Sequence, residues 1–235
     1  EYESQCGQDK FLIQKVFKRK KGGFYVDVGA HDGVYISNTR AFEIGLGWSG
    51  ICVEPSSASS NMVNLRNCKV VVACVGDESH DNKIVKLRQR NPLEVSQTLF
   101  DAEKYEHKQG EYQDKFKICK TLNRILLENS APKDIDYISI DVEGTEHMIV
   151  KDFPFDDWNV TAMSIANNLY QDTKERIENR KKIKKLLEDS GYILMKEFTL
   201  HELDKKNWGK KFDDEVMEDL YVSEEFFKKK KLKIA

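Results

Sequence analysis

Phe24-Tyr25-Val26-Asp27-Val28-Gly29-Ala30-His31-Asp32-Gly33 is the stretch around which the rest of the chain reads. Phe24 to Val28 is a short apolar run rich in β-formers, preceded by Gly22 and Gly23. It reads as a buried strand of a parallel sheet. Asp27 stands at its carboxyl end, Gly29 and Gly33 follow, and a helical pattern starts near Ser37. Strand, glycine turn and helix in this order mark the place where an open α/β sheet holds a nucleotide-like ligand. Glycine is expected there because, without a Cβ, backbone can come close to the ligand.

The spacing discriminates between ligands. A dinucleotide site carries Gly-x-Gly-x-x-Gly, with the pyrophosphate over the helix N-terminus. Here the pattern is Asp27-x-Gly29-x-x-x-Gly33, with Ala30, His31 and Asp32 inside the loop. Two carboxylates would repel a pyrophosphate and would suit a ligand carrying an ammonium and a sulfonium charge. S-adenosyl-L-methionine is such a ligand. The competing reading is an ordinary tight turn after a core strand.

Working outward, Ser37 to Leu46 is a helix candidate capped by Ser37 or Asn38, and Gly47 ends it. Ile51-Cys52-Val53 is a second buried strand closed by Glu54-Pro55. Glu54 follows Gly29 by 25 residues; an acid ending the second strand is placed to accept both hydroxyls of a ribose. Ser57 to Arg66 reads as a short helix and Lys69 to Val75 as a third strand. Asp77, in the turn that follows, is a candidate for the adenine amino group and equally a turn residue. Lys83 to Leu87 is strand-like. Arg88 to Lys117 is polar and aromatic without clear period, long for a connection, and is expected to be a lid or substrate loop, with Tyr105, His107 and Tyr112 as candidate contacts.

Thr121 to Glu128 is a helix, and Ile135 to Ile140 a fourth buried strand ending in Asp141-Val142-Glu143-Gly144. If that end stays extended, Asp141 and Glu143 point the same way, into the crevice that Asp27 faces. Thr145 opens the next helix, which carries Glu146 and His147. Val160 to Ile165 is a fifth strand leading to Ala166-Asn167-Asn168. Lys174 to Ser190 is an amphipathic helix with Ile177, Ile183, Leu186 and Leu187 inward. Tyr192 to Phe198 and Glu218 to Val222 are expected as an antiparallel edge pair. Near the N-terminus, Phe11, Leu12, Val16 and Phe17 form a helical stripe, and Gln5 and Gln8 before it are placed to cap a cofactor. Residues 224–235 form a basic tail, read as a solvated end.

Composition narrows the class. The 235 residues suit one α/β domain with insertions. A formal net charge of -2 argues against a general nucleic-acid binder. No apolar run approaches the roughly 20 residues of a membrane span, and no signal peptide is visible. Five cysteines without a Cys-x-x-Cys spacing read as free thiols in a reducing, cytoplasmic setting.

Together these stretches resemble the FkbM-type family of S-adenosylmethionine-dependent methyltransferases. The resemblance is carried by Ser4-Gln-Cys-Gly-Gln-Asp9, Phe24 to Gly33, Ser37-Asn-Thr39, Gly47-Trp-Ser-Gly-Ile-Cys-Val-Glu-Pro55, Ile138-Ser-Ile-Asp-Val-Glu-Gly144 and the Gly191-Tyr192 turn, in that order over nearly the whole chain. It implies an α/β, Rossmann-like class I methyltransferase fold: a central, mostly parallel seven-stranded sheet with a reversed last strand and helices on both faces. It implies methyl transfer to a hydroxyl of a sugar, glycan or other small metabolite. On it, Gln8, Asp27, Gly29, Ala30, His31, Asp32, Gly33, Ser37, Asn38, Glu54, Pro55, Asp77 and Asp141 are expected at the cofactor. Asp141 and Glu143 are expected to orient the acceptor and take its proton, with His147 or His31 as substitutes. One departure stands out. Family members carry Glu-His-Asn where this chain has Ala166-Asn167-Asn168. Acids at that place and after strand four help to bind a divalent metal in related sugar methyltransferases, and Ala166 cannot ligate. Magnesium is therefore an uncertain partner here. A binding module that keeps the pocket without catalysis is one alternative reading, and a nicotinamide-dependent oxidoreductase a weaker one.

Overall fold

The computed structural model describes residues 2–90, 96–99, 112–167, 174–199 and 216–234. A short helix α1 (Gln8–Phe11) runs into one π-helical turn, Leu12–Val16. Then come β1 (Phe24–Val28), α2 (Arg40–Leu46), β2 (Ser49–Val53), α3 (Ser59–Leu65), β3 (Lys69–Val71) and β4 (Cys74–Gly76). The middle of the chain supplies β5 (Ile84–Arg90), β6 (Ser96–Leu99), β7 (Tyr112–Thr121), α4 (Leu122–Glu128), β8 (Asp134–Ile140) and α5 (Glu146–Lys151). The last part gives β9 (Asn159–Ala166), α6 (Lys174–Asp189), β10 (Tyr192–Thr199), β11 (Val216–Ser223) and α7 (Glu224–Lys230), the last containing most of the basic tail.

Seven strands form the main sheet in the order β10-β11-β9-β8-β1-β2-β3. β9, β8, β1, β2 and β3 pair in parallel, while β11 runs antiparallel to both β9 and β10. This is the mostly parallel sheet with a reversed last strand. Alternation along each strand sends successive side chains to opposite faces. Val26, Val28, Ile51, Ile138, Ile140 and Met163 pack on one face against α4, α5 and α6. Tyr25, Cys52, Tyr137, Ala162 and Leu220 pack on the other against the N-terminal helix, α2 and α3. Burial on both faces is why these strands read as unbroken apolar runs.

On the second face the register makes a polar row. Asp27 lies beside Ser139 and Ser139 beside Ser164. Farther along β9, toward the carboxyl ends of the parallel strands, Ala166 lies beside Glu218.

Four expectations are corrected. The third strand is not continuous to Val75: it ends at Val71, and Cys74–Gly76 leaves the main sheet to pair with β7 in a second sheet ordered β4-β7-β5-β6. A separate apolar cluster of Cys74, Val85, Leu87 and Cys119 draws it there. The stretch 88–117, expected as a lid or substrate loop without regular pattern, contains strand at 88–90, 96–99 and 112–117, in β5, β6 and β7. Tyr105 and His107 lie outside the described residues, as does the side chain of Tyr112. The helix expected from Ser37 starts at Arg40, and Ser37 Oγ instead accepts from the amides of Thr39 (3.3 Å) and Arg40 (3.2 Å). In α6, Ile183 and Leu187 are buried but Ile177 is exposed. The five cysteines are free thiols. Among the described residues no helix is long and apolar enough to cross a membrane.

Candidate active site

In the main sheet the chain order reverses between β8 and β1, and in open α/β sheets ligands settle in the crevice beyond the carboxyl ends at such a point. The glycine loop sits there. The amides of Gly29 and Ala30 donate to the Val53 carbonyl at 2.9 and 3.1 Å, and the amide of Asp141 donates to the Val28 carbonyl at 2.9 Å. The loop is thus laced to β2 on one side and to the end of β8 on the other. Gly29 has φ +89°, and a Cβ on it would stand 1.7 Å from the Asp141 carbonyl oxygen. A Cβ on Gly33 would meet Met62 Cγ at 2.6 Å. At both positions protein fills the space a side chain would need, where the sequence pointed to a ligand.

Glu54 is 5% exposed. Its Oε2 accepts from the His31 amide at 3.0 Å and its Oε1 from the Ser56 amide at 2.8 Å. Each carboxylate oxygen keeps a second lone pair, so Glu54 braces the loop and still retains acceptors for a diol. Pro55, half-buried, follows it directly. Asp32 Oδ1 accepts from the amides of Val34 and Tyr35, both at 2.9 Å. It shapes the turn. His31 sits at φ +50° with Nδ1 3.7 Å from Asp32 Oδ1.

Asp27 lies beneath the loop. It is 4% exposed, and its Oδ2 accepts from the Thr39 hydroxyl at 2.6 Å. Burial pushes its carboxyl up, opposed by the Thr39 hydrogen bond and the Arg66 charge. Arg66, buried at the end of α3, donates to Glu43 Oε2 (3.1 Å), the Gly33 carbonyl (2.6 Å), the Tyr25 hydroxyl (2.8 Å) and Thr39 Oγ1 (3.0 Å). Asp27 is thereby built into a buried polar network that shapes the loop from below. Arg66, Glu43 and Tyr25 carry no motif that would have marked them in the sequence.

At the end of β8 the chain does not stay extended. Glu143 has φ +62° and Gly144 φ +119°, so the expected parallel aim of Asp141 and Glu143 does not follow from alternation. The turn is organised by Glu146, which the sequence reading passed over. It is 5% exposed, and its Oε1 accepts from the amides of Val142 (3.1 Å) and Gly144 (3.0 Å). Burial raises its carboxyl, and these amides and Arg176 work against that rise. His147 is held below its usual range by burial and by Lys182 and Lys151. Lys182 belongs to α6 and Lys151 to the far end of α5. Asp77 has partners of its own. It accepts from Ser79 Oγ (2.7 Å), shares a 2.7 Å contact with His80 Nδ1 and meets Lys151 Nζ at 3.3 Å. Burial opposes ionisation, but these partners prevail and hold the carboxyl at about 2.

Two further residues bind polar groups on this face of the sheet. Asn38 Nδ2 donates to Ser139 Oγ at 3.0 Å. Gln8, 2% exposed, accepts from the Cys6 amide at 2.8 Å and donates to Glu218 Oε2, joining the two ends of the chain. Burial pushes Glu218 up to about 7 from 4.5, against hydrogen bonding from Ser164 and Gln8 and with help from Asp27 and Asp219. A carboxyl raised in the folded state stabilises below its unfolded value and loses that contribution as pH rises through its folded value. Between pH 4.5 and about 7, then, Glu218 lowers stability by about 3 kcal/mol. Glu218→Gln is expected to lack this loss: by urea denaturation it matches the wild type near pH 4.5 and exceeds it at pH 8. Equal dependence on pH in both proteins would refute the assignment.

Ala166 offers no ligating atom and Asn167 a neutral amide. Among the described residues no group of three or more His, Cys, Asp or Glu side chains could hold a metal ion. The donor set does not fit magnesium, and no step is routed through one.

Sheet order, reversed strand and glycine loop define a class I methyltransferase fold. The Methyltransferase FkbM domain matches residues 27–194, most of the chain, and the chain belongs to that family, whose members use S-adenosyl-L-methionine. Comparison with curated proteins gave no match. Among solved structures the chain is similar to an FkbM methyltransferase from Methylobacillus flagellatus KT, at 15% identity and TM-score 0.45, covering 87% of this chain and 44% of that one. It is also similar to Aeropyrum pernix fibrillarin crystallised with natively bound S-adenosyl-L-methionine, at 14% identity and TM-score 0.44, over 87% of this chain and 68% of that one. A third is the plantazolicin methyltransferase BpumL in complex with S-adenosylhomocysteine, at 9% identity and TM-score 0.40, over 94% and 82%. The chain spans less than half the length of the Methylobacillus protein.

Proposed function

We propose that this chain methylates a hydroxyl oxygen of a sugar or another small metabolite, with S-adenosyl-L-methionine as donor. The observation that carries the reading is the convergence of the glycine loop, Glu54 and Asp141 on the carboxyl ends of three adjoining parallel strands, at the point where the chain order reverses. The loop from Gly29 to Gly33 would seat the methionine part, and the remaining lone pairs of Glu54 would take the two ribose hydroxyls. Asp141, at the end of the adjoining strand, would orient the acceptor. When bound, the donor supplies a methyl group already activated by its sulfonium charge. The chain's task is then alignment of the acceptor oxygen and removal of its proton, and alignment alone supplies much of such a rate.

Calorimetric titration tests the pocket. S-adenosyl-L-methionine and S-adenosylhomocysteine are expected to bind and NAD is not. Glu54→Gln replaces one of the two oxygens that accept loop amides with a donor and removes the charge behind the diol contact. It should cost about 1.5–3 kcal/mol, roughly 10- to 100-fold in affinity. Absence of binding heat for both adenosyl ligands, or tight binding of NAD, would sink the reading.

A further inference from the structure

We propose that two basic runs at the amino edge of the main sheet, the edge opposite the crevice, form one surface that docks on an anionic phospholipid membrane. The inference goes beyond the methyl-transfer reading and does not depend on it.

The runs are Lys18-Arg19-Lys20-Lys21 and Lys228 to Lys231 with Lys233. They are far apart in the chain, and the fold joins them. Lys18 to Lys21 stand just before the amino end of β1. β11 runs antiparallel to β9, with Val222 beside Ala162 near the start of β9, so α7 leaves the sheet at the same edge. Both runs adjoin one aromatic cluster on the second face. Phe17, which precedes the first run, packs on Phe226 of α7 at 6.3 Å between ring centroids and on Trp48 at 5.0 Å. Trp48 Nε1 donates to the Lys20 carbonyl at 2.8 Å. The Leu232 amide donates to the Phe227 carbonyl at 3.2 Å. The backbone that carries the cations is thereby held in place.

All nine cations are exposed. Two are in ion pairs, Lys20 with Asp136 at 2.6 Å and Lys228 with Glu224 at 2.7 Å. Among the described residues the other seven are in none. Like charges gathered without counter-charges repel one another, and an anionic surface relieves that repulsion. The whole chain carries a formal charge of -2, so the remainder is acidic. Charge is segregated here, where an ordinary soluble surface intersperses the two signs. A molecule polarised in this way turns its basic edge toward a negative surface.

The residues among the cations favour lipid over nucleic acid. Binders of single-stranded nucleic acid offer aromatic faces to the bases. Here Phe17 is buried, and Phe226 and Phe227 pack against the core cluster of the second face. The surface instead exposes an aliphatic side chain, Ile234, 67% exposed beside Lys233. Cations with an aliphatic tip match the headgroup boundary of a membrane.

The test is co-sedimentation of the whole chain with vesicles. Binding is expected to phosphatidylcholine vesicles holding about 30% phosphatidylserine at about 0.1 M salt, with a steep loss at about 0.5 M. Vesicles of phosphatidylcholine alone should not bind. Each cation removed should weaken partitioning about fivefold. Lys229→Gln/Lys231→Gln/Lys233→Gln and Lys18→Gln/Arg19→Gln/Lys21→Gln should therefore each lose about 100-fold. Lys230, whose Nζ lies 5.7 Å from the centre of the Phe226 ring, is left in place. The same triple change at Lys181, Lys184 and Lys185 of α6, which packs on the other face, should cost less than about threefold. All three variants alter exposed side chains and should melt like the wild type. No binding to the phosphatidylserine vesicles at low salt overturns the proposal, as does equal binding to phosphatidylcholine alone. An equal loss in the α6 variant assigns binding to overall charge, and full binding by either basic-run variant leaves that run outside the surface; either result overturns it. Tighter binding to a random-sequence oligonucleotide than to the vesicles at equal salt assigns the surface to nucleic acid and overturns it as well.

Discussion

Gly29→Ala is expected to yield protein that is largely unfolded or insoluble. The added Cβ would lie 1.7 Å from the Asp141 carbonyl oxygen, a backbone atom that no rotamer can move. The backbone has little room to yield on either side. Gly29 itself is hydrogen-bonded to Val53, and Asp141 to Val28, both at 2.9 Å. Separating β1 from β8 would open the centre of the sheet. The φ of +89° adds a second penalty, about 1–2 kcal/mol for a residue with a side chain. The sum falls in the exceptional class above 4–5 kcal/mol, against a total stability of about 5–15 kcal/mol. Gly45→Ala is the control. It lies in α2 with nothing within 4 Å of the new Cβ, and should be neutral or gain up to about 1 kcal/mol from helix propensity. Solubility, far-ultraviolet circular dichroism and melting temperature report both. A Gly29→Ala protein melting within a few degrees of wild type would refute the close approach.

This glycine also shows how far the sequence could be read. Its presence after an apolar strand located the loop correctly, because a positive φ beside a sheet edge leaves a mark in residue type. What fills the space beside it did not leave one, since Asp141 is far away in the chain and contributes a backbone atom. The same division holds elsewhere. Strands β1, β2, β8 and β9 were legible because burial on both faces demands continuous apolar residues. The break at Val72 and Ala73 was not, because an apolar run does not say which sheet receives its second half. Asp141 and Glu143 were recognised as acids at a strand end, but the left-handed turn at Glu143 depends on Glu146 collecting two amides. Gln8 and Glu218 come from opposite ends of the chain, and no local pattern could have joined them.

Arg66→Met is expected to cost about 3–5 kcal/mol, the penalty for breaking a buried charge pair from one side. The arginine side chain is fully buried, and Glu43 beside it is 4% exposed. The guanidinium fork spreads its donors over three elements: Nε to Glu43, Nη1 to the Gly33 carbonyl and to Ser37 Oγ at 3.2 Å, and Nη2 to Tyr25 and Thr39. Methionine matches much of the volume, so little of the loss should come from a cavity. It comes from Glu43 and Asp27 left in an apolar interior without their cation. Lysine is no substitute, because one ammonium cannot reach all five acceptors from a single point. The fork also fixes Gly33 and Ser37, so donor affinity should fall together with stability. Glu43→Gln in the Arg66→Met background separates the two effects. By removing the stranded charge, it should recover part of the stability in urea denaturation while leaving the loop's anchor missing and the affinity low. Recovery of both would mean that Arg66 acts through charge balance alone, and a single Arg66→Met variant within about 1 kcal/mol of wild type would show that the network beneath the loop carries no such load.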